Sequence, residues 1–163
     1  MNHSTSTTPV GDHCLEDYVV GSVSEFGSIT VEEADIIDFA RRFGPQVFHT
    51  DPEAAKKSFY GGLIASGWHT AAIMMRLIVD HYLPGTSSMG SPGIDELRWI
   101  KPVRPGDKLS IRVTVMEANR SNSKPDRGVV RSFIEVINQN REVVLTLKAI
   151  NLLLCRNAAQ QAK

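Results

Sequence analysis

Apolar and polar positions along the 163-residue chain change period about midway. Ile36, Phe39, Ala40 and Phe43 stand at i, i+3, i+4 and i+7, one stripe of a helix. Thr30, with Glu33 three residues on, predicts a capping box at its start, and Gly44-Pro45 ends it. A short helix is predicted over "DPEAAKKS", with Asp51 as cap and Pro52 at its first position. From Trp68 to Leu83 the chain reads as a helix apolar nearly all round, which predicts burial at a centre. His69, Arg76 and Asp80 form its narrow polar stripe, and Arg76 and Asp80 stand at pairing distance, i and i+4.

After residue 90 the period becomes two. Leu109, Ile111, Val113 and Val115 alternate with Lys108, Ser110, Arg112 and Thr114, a half-buried strand over 108–116. "GVVRSFIEVI" and "EVVLTLKAINLLL" are two further strands, joined by the turn "NQNR" into a hairpin. "GIDELRWI" reads as another strand, and "YVVGSVSEFGSITV" as an extended segment. The expectation is an α+β fold with an antiparallel sheet wrapped around the long apolar helix. Long alternating strands would leave open edges in a monomer, so a homodimer or higher homo-oligomer is expected. Boundaries are set at a flexible N-terminal tail over 1–15, one domain over 16–156 and a C-terminal tail over 157–163.

Composition narrows the function. Lys plus Arg and Asp plus Glu each number 18, a net charge of zero that argues against a nucleic-acid partner. No apolar run reaches the length of a membrane span and no signal-peptide pattern opens the chain, so a soluble cytoplasmic protein is expected. Cys14 and Cys155 have neither a disulfide-framework nor a zinc spacing, and no histidine pair suggests a metal site.

Two places remain for chemistry. His49 follows the helix break in "RRFGPQVFHTDPEAA", read as a short loop. It is either a tether for that loop or a general acid-base. "IASGW" starts the apolar helix. Ser66 is either simply its N-cap or part of a helix start whose free N–H groups, with Gly67 allowing close approach, polarise a carbonyl.

"FARRFGPQVFHTDPEAAKKSFYGGLIASGWHT" and "GIDELRWIKPVRPGD" together resemble the MaoC-like hydratase family of hotdog folds, over roughly residues 20–155. The resemblance implies an (R)-specific enoyl-CoA hydratase or 3-hydroxyacyl-CoA dehydratase, with an acyl-CoA thioester as substrate and no cofactor. It implies His49 as the catalytic histidine and the Ser66–Gly67 helix start as the thioester-binding element. It implies a homodimer with the pocket at the subunit interface, and an acyl chain running along the helix past Ile64 and Trp68. The family's aspartate, five residues before its histidine, falls on Gly44, which has no side chain. Asp51, Glu53 and Asp95 are the candidate substitutes. Two other readings follow from that departure and from the fold: an acyl-CoA-binding protein with impaired catalysis, and an acyl-CoA thioesterase. Lys56, Lys57, Lys101 and Arg104 are the cations available to a CoA nucleotide.

Overall fold

In the computed structural model, which describes residues 10–161, five strands form one antiparallel sheet in the order β1-β3-β4-β5-β2. They are β1 (Val23–Thr30), β2 (Gly93–Trp99), β3 (Lys108–Arg120), β4 (Arg127–Ile137) and β5 (Val143–Leu154). Helices α1 (Glu33–Phe43), α2 (Val47–Thr50), α3 (Pro52–Ala55) and α4 (Gly67–His81) all lie between β1 and β2 in sequence, and α5 (Arg156–Gln161) follows the last strand. α4 packs on the sheet through Ile73, Met74, Leu77 and Ile78, against the inward rows Leu109, Ile111, Val113, Val130, Ile134, Leu145 and Leu147. This is the expected hotdog arrangement. Each such side chain taken from water contributes about 1.5–3 kcal/mol, so the alternation read in the sequence is what fixes the sheet against the helix.

The β4–β5 hairpin turns at Asn138–Arg141 as predicted, with Asn138 Oδ1 accepting from the N–H groups of Asn140 and Glu142, both at 3.0 Å. β3 runs on to Arg120, past the predicted 116, because a bulge between Val115 and Glu117 restores its pairing with β4. β1 has a bulge of its own after Phe26, where Gly27 adopts φ +71° and a Cβ would overlap Leu77 Cδ2. Glycine is needed there on both counts, conformation and close approach.

Three expectations are corrected. The capping box does not form: Thr30 is held in the ladder opposite Lys108, Glu32 is the N-cap, and no side chain bonds the first N–H groups of α1. α4 is not buried all round, for Trp68, Met75 and Val79 are 60%, 45% and 53% exposed along one stripe. Its polar stripe also divides: Arg76 and Asp80 pair at 2.8 Å as expected, but in solvent, whereas His69 is buried.

Residues 10–15, the described part of the expected N-terminal tail, are tied to the domain. Thr86 and Ser87 donate from their hydroxyls to the carbonyls of Gly11 and His13, and Leu15 joins the core. The rest of that tail lies outside the described residues. Of the expected C-terminal tail, residues 157–161 belong to α5, and Arg156 at the head of that helix pairs with Asp17 at 2.7 Å. Among the described residues no helix is long and apolar enough to cross a membrane.

Candidate active site

The turn after α1 builds the histidine's position. Pro45 stops the helix, Gln46 N–H reaches back to the Gly44 carbonyl (2.8 Å), and the chain makes one turn of helix, α2, rather than the loop expected. His49 N–H closes that turn on the Gln46 carbonyl at 2.8 Å. Asp51 then starts α3 as predicted, its Oδ1 accepting from the N–H groups of Glu53 and Ala54, both at 3.0 Å, with Pro52 in the first turn. Asp51→Ala is expected to lower stability by about 1 kcal/mol, read as a lower urea midpoint at unchanged slope.

His49 is 8% exposed, and its Nδ1 lies 2.8 Å from the carbonyl oxygen of Ile64. A carbonyl only accepts, so Nδ1 carries the proton in the neutral ring. Nε2 is therefore the lone-pair nitrogen, the one left for a ligand. The edge of the Phe48 ring, 4.6 Å away between centroids, fixes the imidazole on one side. The tether reading is borne out: Nδ1 holds the segment that leads into α4, and this contact leaves Nε2 uncommitted.

His49, Ser66 and Gly67 line one cavity of about 570 Å³, a volume suited to a small-molecule ligand. Ser66 caps α4 through its Oγ, which accepts from Trp68 N–H at 3.3 Å. The Gly67 N–H has no acceptor among the described residues, so the helix start leaves this amide free on a residue that lines the same cavity as His49. The N-cap reading of Ser66 is borne out, and the cap leaves the Gly67 amide without an acceptor among the described residues. Ile64 and Trp68 line the cavity as expected; Gln46, Tyr60 and Trp99 line it too and were not foreseen.

Among the described residues no aspartate or glutamate lines this cavity. Gly44, with φ −174°, has nothing within 4 Å of where a Cβ would stand. The three substitutes are placed elsewhere. Asp51 is held by its cap, Glu53 pairs in solvent with Lys56 at 2.6 Å, and Asp95 lies opposite Lys148 and 3.5 Å from Arg131. Of the four candidate cations, only Lys101 lines the cavity, and it is paired with Glu142. Arg104 Nη2 donates to the Tyr60 carbonyl at 2.6 Å, bracing the cavity wall.

His69, on the first turn of α4, is not part of this site. It stacks on Phe39 of α1 at 4.9 Å, and its Nδ1 is buried without a partner. Burial pushes its pKa below the ordinary value, against a smaller upward pull from Asp35. The unfolded chain thus takes up this proton at a higher pH than the folded chain does. Its contribution is constant above about pH 6.5 and turns against the fold as pH falls below that value. His69→Phe is expected to flatten that part of the stability profile, measured as Tm between pH 7.5 and 5.

The family profile described as "MaoC like domain" matches residues 19–137. The uncharacterized protein YdeM of Bacillus subtilis is 31% identical over 125 residues, covering 77% of this chain and 87% of that one. A crystal structure of the MaoC-like dehydratase from Rhodospirillum rubrum is 44% identical, with a TM-score of 0.82 over 88% of this chain and 98% of that chain. The unliganded R-hydratase PhaJ1 from Pseudomonas aeruginosa shares the fold at 23% identity, with a TM-score of 0.67 over 87% and 85% of the two chains.

Proposed function

Because the chain belongs to the MaoC-like domain family, we propose that it is a hydro-lyase acting on acyl-CoA thioesters, interconverting a trans-2-enoyl-CoA and an (R)-3-hydroxyacyl-CoA. The observation that carries this reading is the pairing, in one cavity, of an imidazole whose Nδ1 is committed to Ile64 with the free amide of Gly67. The thioester oxygen binds the Gly67 N–H. His49 Nε2 takes a proton from a water whose oxygen forms the bond to C3. The C2–C3 π electrons move onto the thioester oxygen as an enolate, which the amide and the positive end of α4 stabilise. The same Nε2–H then gives its proton to C2, so that water has been added and the imidazole is neutral again. Gln46, on the cavity wall, has a side-chain amide able to hold the water, the orienting half of what an aspartate at 44 would do. Loss of the conjugated enoyl-thioester absorbance on adding the protein tests the reading.

One observation favours a second reading, an acyl-CoA binder with impaired catalysis: among the described residues no carboxylate lines the cavity. Binding of saturated acyl-CoA without hydration of any enoyl-CoA would establish it. Nothing in the cavity favours a thioesterase.

The exposed stripe of α4 and the edge strand β2, where Ile94 is 46% exposed, are part of the apolar surface left open by one chain. A second copy of the chain is the proposed cover, continuing the sheet across that edge. Sedimentation equilibrium is expected to give twice the chain mass; the mass of one chain would contradict it.

A further inference from the structure

β2 carries an irregularity that decides which way Trp99 faces. Asp95 pairs with Lys148 and Arg98 with Thr146, so Glu96 and Leu97 together stand opposite Leu147 alone. Glu96 takes a left-handed conformation, φ +53°, uncommon outside glycine. The extra residue shifts the alternation. Ile94 and Trp99, five apart and expected on opposite faces, both stand across from buried positions of β5, Ala149 and Leu145. Trp99 is thereby turned to the α4 side of the sheet.

There its indole lies flush on the helix start. A Cβ built on Gly67 would overlap Nε1, Cε2 and Cδ1 of Trp99, all within 2.7 Å. The Trp68 ring meets the indole edge-to-face at 5.4 Å and 77°, bracing it. Trp99 lines the same cavity as His49, so its ring forms part of the wall a ligand there would meet. With the thioester carbonyl on the Gly67 amide, as proposed above, C2 would come next to this wall, because the indole covers the same glycine. A substituent on C2 competes with the indole for space; a linear chain does not.

We propose that Trp99 is a specificity-determining residue, whose indole, aimed by the β2 bulge, admits thioesters unbranched at C2 and excludes those carrying a C2 methyl. This rests on the acyl-thioester reading above. One methyl refused by a packed wall is worth roughly 10–200-fold. The test is calorimetric titration of the wild type, Trp99→Ala and Trp99→Phe with butyryl-CoA and with isobutyryl-CoA, so that no turnover is required. The wild type is expected to prefer butyryl-CoA by at least about tenfold. Trp99→Ala is expected to bring the two affinities within about threefold by tightening the branched ligand. Trp99→Phe, which keeps a smaller ring on Gly67, is expected to move the ratio the same way by less, and it decides the matter alone should the alanine variant fail to fold. A wild-type preference that survives in the folded variants overturns the assignment of Trp99 and leaves the acyl-thioester reading standing. Equal affinity of the wild type for both ligands does the same. Binding of neither ligand by the folded wild type overturns both.

Discussion

His49→Ala is expected to lower the hydration rate by about 10²–10⁴-fold, the usual loss on removing a general acid-base. Here the loss is expected at the upper end, because among the described residues no carboxylate lines the cavity to carry part of the proton transfer. The alanine variant also leaves the Ile64 carbonyl without the donor it has at 2.8 Å, a cost of about 1–3 kcal/mol in stability. His49→Asn separates the two effects. The asparagine Nδ2–H can stand where the imidazole Nδ1–H stands, keeping the tether, while nothing replaces Nε2. The expected outcome is a rate as low as that of His49→Ala with a Tm nearer the wild type. Recovery of activity in His49→Asn would show the histidine to be a tether and nothing more.

Gly44→Asp is expected to raise the hydration rate, by up to about 10²-fold, by restoring a carboxylate five residues before His49. The structure puts no steric objection in its way. The φ of −174° is extended backbone that any residue adopts, and the space where its Cβ would stand is open. The Gly44 N–H keeps its bond to the Ala40 carbonyl at 2.8 Å whatever the side chain. The cost is a negative charge at the C-terminal end of α1, about 0.3–1 kcal/mol, which the neighbouring Arg41 and Arg42 offset. Saturation kinetics on wild type and variant, with far-UV circular dichroism as the folding control, decide the matter. A fall in activity in a folded Gly44→Asp would mean that the reaction needs the room that glycine leaves, and that the water is handled by another group.

Most of the fold was legible because its elements are held by patterns that repeat. β4 and β5 alternate over ten residues and β3 over eight, and one face of each is in the core, so a period of two could mean little else. α4 was legible for its length and apolarity but not for its exposed side. Trp68, Met75 and Val79 are as apolar as Ile73 and Leu77, and hydropathy alone does not tell a face covered within the chain from one left for another surface. Local chemistry misled at α1, where Thr30 and Glu33 have capping-box spacing but the strand ladder took Thr30 first. At the site, His49, Ser66 and Gly67 fall together as motif reading expected, and Asp51 caps as its place before proline predicted. Trp99 escaped, and the reason is parity. Counting by twos from Ile94 puts it on the far face, and only the bulge at Glu96, which no glycine or proline announces, brings it back. Gln46 was not legible because a lone neutral amide beside a helix break carries no sequence signal, and only the fold brings it to the cavity wall.

The most direct test is incubation of the wild-type protein with a panel of trans-2-enoyl-CoA thioesters from four carbons upward, followed by chiral analysis of the products. The expected result is formation of the (R)-3-hydroxyacyl-CoA from at least one linear member, abolished in His49→Asn. No conversion of any member by the folded wild-type protein would contradict the hydro-lyase assignment.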